Sequence, residues 1–243
     1  MENKPKNLLR FYGKTEYALQ CLEEKKLALP RASKLNDPFD PPLYFLTDIT
    51  DSNLIVLLKN TEDRLRNIFI PTMFIASFSE GTRDDLYMWG HYANGHRGIA
   101  IEFNWEQLNN CLTKLKGHEG GGEFFKVSYA SPYVFTNKDV GQLRIQGPII
   151  AEKMRLMFRT KTDNWKRENE WRFMVTDKDT SLDYTKIDLA DDVISAVYIG
   201  CAAEEKVGQS VYQQTKRNFP NAKVFLAKKR KDKLAIEFEE INP

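Results

Sequence analysis

Cysteine is scarce in this chain: Cys21, Cys111 and Cys201 stand far apart. An odd number at wide spacing fits neither a disulfide framework nor a CxxC metal site, so the three thiols read as reduced packing residues. Histidine is equally sparse, confined to His91, His96 and His118. The step from His91 to His96 is not the i, i+4 spacing that sets two ligands on one helical face, and no metal is expected. Charge of one sign is also lacking, since 36 basic residues against 34 acidic ones leave a net +2. That balance gives no general reason for a nucleic-acid coat or an anionic membrane as partner, and any polyanion site must be local. No stretch approaches the roughly 18 consecutive apolar residues of a membrane span. The polar opening from Met1 to Lys6 lacks the basic and then apolar order of a signal peptide, so a cytoplasmic location is expected, with no membrane partner. Repeats, low-complexity linkers and sharp shifts of composition are missing as well, and the expectation is a single domain over residues 1–243.

What is present is the material of a sizeable core: 243 residues, 42% hydrophobic and 29% charged. Leu8 to Tyr12 reads as an opening strand, then Thr15 as an N-cap for a helix carrying Ala18, Cys21 and Leu22. Pro38, Pro41 and Pro42 force a loop of fixed shape between Leu35 and Pro42. Asp51 or Ser52 can cap a second helix that turns Leu54, Leu57, Leu58, Leu65 and Ile68 to the core. Met73 to Ser79, apolar on both alternating faces, reads as a central strand, while Ile99 to Phe103 alternates as a more exposed one would. The glycines between Lys114 and Glu123 suggest a loop, and Ile149 to Arg159 a helix. Trp171 to Val175 and Val193 to Gly200 read as strands, followed by a helix with Val207, Val211 and Tyr212. A closing hairpin joins Val224–Ala227 to Leu234–Phe238. Helices alternating with short apolar runs that end in a hairpin define α+β architecture with a mixed, largely antiparallel sheet.

Three polar constellations stand out. The first is W-x-x-E-x-E-W-R: Trp165, Glu168, Glu170, Trp171 and Arg172. Strand alternation puts Glu168, Glu170, Arg172 and Met174 on one face and Trp171, Phe173 and Val175 on the other. Carboxylates beside a guanidinium can hold a ligand hydroxyl, stabilise developing positive charge or bind phosphate; the same residues also suit an ion-paired strand end. The second runs from Asp84 to Gly98 with Met88, Trp89, His91, Tyr92, His96 and Arg97, suited to stacking on a planar ring or to one helical turn packed on the core. The third, Asn36, Asp37 and Asp40 among prolines, is either a self-satisfied turn or a substrate wall. Ser77 and Ser79 place two hydroxyls on one strand face. Lys228, Lys229, Arg230, Lys231 and Lys233 allow phosphate contacts, or form a solvated hairpin tip.

Together, Asn36 to Asp40, Phe78 with Ser79, Met88 to Gly98 and Trp165 to Arg172 resemble a widespread bacterial domain-of-unknown-function family. That family is marked by an NDPFD-like loop, an FS strand followed by MWxHYAxxHxG, and a WxxExEWR element; the resemblance runs from about Leu9 to Gly200. A second likeness is to the ADP-ribosyltransferase superfamily, through Arg10 or Tyr12, then Ser77 with Ser79, then Glu168 with Glu170. It departs at Phe78 between the serines and at the MWxHYA element. This resemblance implies an NAD-using ADP-ribosyl-transferring or NAD-hydrolysing effector of bacterial defence or a toxin system. Glu170 would be its essential carboxylate, with Glu168 and Arg172 as further catalytic residues and NAD as co-substrate held by Arg10, Tyr12, Ser77, Ser79, Trp89, His91, Tyr92 and Arg97. The acceptor would be nucleic acid or protein. Two other readings stay open: a non-catalytic nucleic-acid or protein-binding module using the basic hairpin, and a metal-dependent nuclease built on Asp37, Asp40 and the two glutamates.

Overall fold

The computed structural model describes residues 4–35, 37, 40, 46–47, 50–113, 122–130, 134–135, 156, 158–177, 179 and 181–241. In chain order, β1 (Asn7–Tyr12) leads into α1 (Thr15–Glu24) and β2 (Lys26–Pro30), followed by the short β3 (Leu46–Thr47). Next come α2 (Ser52–Arg64), β4 (Met73–Ser79), α3 (Leu86–Tyr92), β5 (Ile99–Asn104) and α4 (Trp105–Thr113). The middle of the chain supplies β6 (Glu123–Lys126), β7 (Ser128–Tyr129), β8 (Val134–Phe135), β9 (Thr160–Lys161), β10 (Glu170–Thr176) and β11 (Tyr184–Asp188). The last part holds β12 (Ile194–Ile199), α5 (Glu205–Asn218), β13 (Lys223–Lys229) and β14 (Ile236–Glu240).

Eight of these strands form one sheet in the order β14-β13-β12-β5-β1-β4-β10-β6, and β11 pairs with β2 as a separate ribbon. Within the large sheet every pairing is antiparallel except β12 with β13, which α5 connects as a crossover. The architecture is α+β with a mixed, mostly antiparallel sheet and a C-terminal hairpin. Period-two alternation sends Leu8, Phe78, Ile101, Phe103, Trp171, Phe173 and Val197 into the main core, where Leu22 of α1, Leu108 of α4 and Val211 of α5 cover them. The opposite face is divided. Leu9, Ala100 and Tyr198 pack beneath Trp89 of α3, and Ile75 and Met174 pack with Ile70 and Phe158. Between these apolar patches the same face carries Ser77, Ser79, Glu170 and Arg172, paired across β4 and β10 as Glu170 with Ser79 and Arg172 with Ser77.

Local chemistry explains several boundaries. α1 ends because Lys25 adopts the left-handed conformation (φ 53) while its N–H bonds Cys21 O. Its N-cap is Lys14, not Thr15, and no side chain caps it. Asp51 caps α2 through a 2.8 Å bond from Asn53 N, and Asp85 caps α3 through a 2.8 Å bond from Tyr87 N. After α3 the chain turns through three consecutive left-handed residues, Asn94, Gly95 and His96.

The structure corrects some expectations. β5 is not an exposed strand: it lies between β12 and β1, so Ala100 and Ile101 are both buried, and only Glu102 and Asn104 reach partial exposure. Ile68 is 54% exposed rather than turned to the core, and Leu234, expected in the hairpin strand, is 98% exposed. The side chains of Leu54, Leu57, Leu58 and Leu65, most of the Lys114–Glu123 loop and nearly all of the expected helix over Ile149–Arg159 lie outside the described residues. Among the described residues, no helix is long and apolar enough to cross a membrane.

Candidate functional site

β1 and β4 are neighbours in the sheet, yet they share a single paired position, Leu9 with Ser79. By contrast β4 and β10 stay in register over seven positions, from Glu170 with Ser79 to Thr176 with Met73. Beyond Leu9 the two strands part, and a cavity of ≈ 330 Å³ occupies the opening. Its wall is assembled from distant stretches of chain: Arg10 of β1, Asp40, Ser77 and Ser79 of β4, Met88, His91 and Tyr92 of α3, Lys161 of β9, and Glu168 and Glu170 around the start of β10. Arg10, Phe11 and His91 also line an outer groove of ≈ 950 Å³ bounded by α1 and the β2–β11 ribbon.

The floor is a buried ion cluster. Arg172, 1% exposed, donates from Nε to Glu170 Oε1 at 2.7 Å and from Nη2 to Glu170 Oε2 at 2.9 Å. Its Nη1 reaches Asp40 Oδ1 at 2.8 Å, and Nη2 also bonds Asp40 Oδ2. Such a fork is the geometry that guanidinium offers to carboxylates. Lys161 completes the network, with Nζ 2.7 Å from Glu168 Oε2, 3.1 Å from Glu170 Oε2 and 3.4 Å from Asp40 Oδ2. The other oxygen of Glu168 accepts a hydrogen bond from the Tyr92 hydroxyl. Glu168 sits at the end of a 3₁₀ turn over Asp163–Glu168, not within the strand. Asn169 then takes a left-handed conformation (φ 45) that redirects the chain into β10, so both carboxylates reach the cavity. Ser79 Oγ donates to Glu168 O at 2.7 Å, and Tyr129 Oη accepts from Glu170 N at 2.8 Å.

Three carboxylates against two cations leave one excess negative charge, and the cluster does not divide it evenly. Burial pushes the Glu170 carboxyl up, but Arg172, Lys161 and the Ser77 hydroxyl outweigh that cost and hold it at about 2. For Glu168 burial dominates; Lys161 pulls the carboxyl down and the Glu170 charge pushes it up, with the net result above its ordinary value. Burial lowers Lys161, and the charges of Glu170, Asp40 and Glu168 more than reverse it. Glu170 is therefore a fixed anion with every oxygen engaged. Of the two glutamates, Glu168 protonates more readily, because its partners are a neutral hydroxyl and one shared ammonium.

The residues singled out in the sequence divide accordingly. Arg10, Asp40, Ser77, Ser79, His91, Tyr92, Glu168 and Glu170 line the cavity, with Arg172 beneath it. Tyr12 lines the outer groove instead, and its hydroxyl is bonded to Cys21 in a setting that raises the phenol by burial. Trp89 does not face the cavity: it is 0% exposed, its Nε1 donates to Arg83 O at 2.6 Å, and its ring stacks on His96. Arg97 is exposed and lines neither cavity. Asp37 is buried one turn before Asp40, whose N–H bonds Asp37 O at 3.1 Å, and Asn36 lies outside the described residues. In the basic hairpin Lys228 pairs across the strands with Glu239 and Arg230 pairs within the tip with Asp232 at 2.6 Å, while Lys223, at the start of β13, pairs with Glu240 at 3.1 Å.

Lys161 and Tyr129 escaped the sequence reading. They lie opposite each other on β9 and β7, a parallel pair of two-residue strands. Two residues are too few to display alternation, so no periodic signal marks either one.

A sheet whose strands part beside a buried ion cluster defines an α+β protein with a polar cavity that opens toward an outer groove. Residues 88–173 match the family model described as protein of unknown function (DUF2971). The matched stretch is narrower than the resemblance read from the motifs. It contains Tyr92, Tyr129, Lys161, Glu168, Glu170 and Arg172 but not β1 or β4. No curated protein and no solved structure matches the chain.

Proposed function

We propose that the protein breaks the nicotinamide–ribose bond of NAD, passing ADP-ribose to water or to a nucleic-acid or protein acceptor. One observation carries this reading: Glu168, bonded by Tyr92 and Lys161, lines a cavity of ≈ 330 Å³ that shares Arg10, Phe11 and His91 with the larger outer groove. Loss of nicotinamide develops oxocarbenium character on the ribose. A carboxylate fixed beside that carbon stabilises it and can hold a ribose hydroxyl. Glu168, held by one hydroxyl and one shared ammonium, suits this part better than Glu170, which the Arg172 fork and Lys161 fix in place. Glu170, Arg172, Lys161 and Asp40 then act as a rigid charge frame that holds Glu168 in place. Tyr92 orients the Glu168 carboxylate, and the exposed His91 ring at the rim, packed on Tyr87 at 4.3 Å between centroids, offers a face to a planar base.

The alternatives fit less well. Asp40, Glu168 and Glu170 already face two buried cations, which repel a divalent ion, and among the described residues no group of three or more His, Cys, Asp or Glu side chains is arranged to hold a metal. At the hairpin, Lys228 and Arg230 are paired with Glu239 and Asp232, which lowers the free charge offered to a phosphate-neutralising surface. A cytoplasmic setting accords with three free thiols.

The test is nicotinamide release from NAD by the purified chain, alone and with RNA or protein acceptors added. Glu168→Gln is expected to slow release by about a hundredfold or more. Absence of release in every arm, from a folded wild-type protein, overturns the proposal.

A further inference from the structure

The outer groove holds more positive charge than its neighbours neutralise. Lys34 is paired with Asp183 at 3.5 Å and Lys186 with Glu24. Among the described residues, Arg10 and Lys14 have no acidic partner. Arg10 Nη1 is moreover buried without a hydrogen-bond partner, while its guanidinium lies over the Tyr12 ring at 5.3 Å and the Phe78 ring at 5.9 Å. A buried cationic N–H left unsatisfied is costly, and a ligand oxygen at that position removes the cost. Lys14, four residues further along the chain and lining the same groove, lies over the ring of Tyr17, which is 56% exposed. A guanidinium with one unsatisfied N–H at the junction of the two cavities, an ammonium beyond it and an exposed aromatic ring form the pattern of a phosphate site followed by a base platform.

We infer that the outer groove binds the diphosphate and terminal base of a nucleotide, with Arg10 and Lys14 on the phosphates and Tyr17 beneath the base. The identity of that nucleotide as the ADP portion of NAD rests on the reaction proposed above; the binding itself does not. Lys14 and Tyr17 are surface residues, so Lys14→Glu and Tyr17→Ala leave the core untouched.

Calorimetric titration of the full chain with ADP, inorganic pyrophosphate and nicotinamide riboside tests the assignment. Wild type is expected to bind ADP more weakly as salt is raised. Lys14→Glu should weaken ADP and pyrophosphate about tenfold or more while nicotinamide riboside, which lacks phosphate, binds as before. Tyr17→Ala should weaken ADP but not pyrophosphate. Absence of ADP binding by wild type, or unchanged ADP affinity in Lys14→Glu, overturns the inference. If ADP binds and is lost in Lys14→Glu although NAD is never cleaved, the groove assignment stands and the reaction falls. If NAD is cleaved with the same KM by wild type and Lys14→Glu, the reaction stands and the groove assignment falls.

Discussion

Arg172 shows how much of this site is settled by one side chain. A guanidinium 1% exposed survives only because Glu170 and Asp40 together take its donors, and each carboxylate in turn survives only because of the cations. Arg172→Met leaves three buried carboxylates sharing Lys161. It is expected to cost about 3–5 kcal/mol, read as a lowered urea midpoint at unchanged slope. Tyr92→Phe addresses the other carboxylate. Loss of the hydroxyl donor removes an interaction that favours ionised Glu168 and raises its pKa further. If ionised Glu168 serves the reaction, the acid limb of the pH profile for nicotinamide release moves to higher pH in this variant. An unmoved limb assigns the titration to another group.

At the scale of elements, the decisive feature is the parting of β1 from β4, and the turn after α3 helps to fix it. Gly98 lies where a Cβ would stand 2.1 Å from Tyr12 O at the end of β1 and 3.0 Å from Ala93 Cα. Both neighbours are backbone and neither can swing aside. Gly98→Ala is expected to push α3 away from β1, destabilising the fold by about 1–3 kcal/mol and displacing His91 and Tyr92 from the cavity. Thermal melting measures the first effect, and loss of ligand binding beyond that expected from stability alone measures the second. The elements themselves were unevenly legible. β4 could be read because a bounded run apolar on both faces marks a central strand, and β10 because Trp171, Phe173 and Val175 fall on one alternating face. β5 misled because Glu102 in an Ile-Ala-Ile-Glu-Phe run imitates a solvated face, whereas Asn7, Ser195 and Tyr198 hydrogen-bond that glutamate inside the sheet. β9, two residues long, left no signal at all, so Lys161 was invisible.

For the whole molecule, the ion cluster links stability to pH with two opposing signs. The Glu170 carboxyl is held at about 2 against an ordinary 4.5. Its contribution is therefore complete above 4.5 and fades as pH falls from there toward 2. Glu168 is raised, so its contribution is complete below 4.5 and is lost as pH rises through its folded value. Glu168→Gln is accordingly expected to gain stability relative to wild type on going from pH about 4.5 to pH about 7. Chemical denaturation at the two pH values checks this, and a constant difference between the proteins would show that Glu168 does not titrate in that range.

The chain's own order of residues determined the sheet strands with long apolar runs, the α+β class and the identity of the polar segments, because periodicity and local chemistry are properties of neighbouring residues. It also determined that Glu170 and Arg172 share a face, since strand alternation requires it. Only the tertiary structure decided that Asp40, Tyr92 and Lys161 meet those residues, that Trp89 turns into a core while His91 faces the cavity, and that the carboxyls of Glu168 and Glu170 shift in opposite directions. Those outcomes depend on which strands part and which pair, and on how burial and opposite charge balance at each carboxylate, and distances of that kind are not encoded in spacing along the chain.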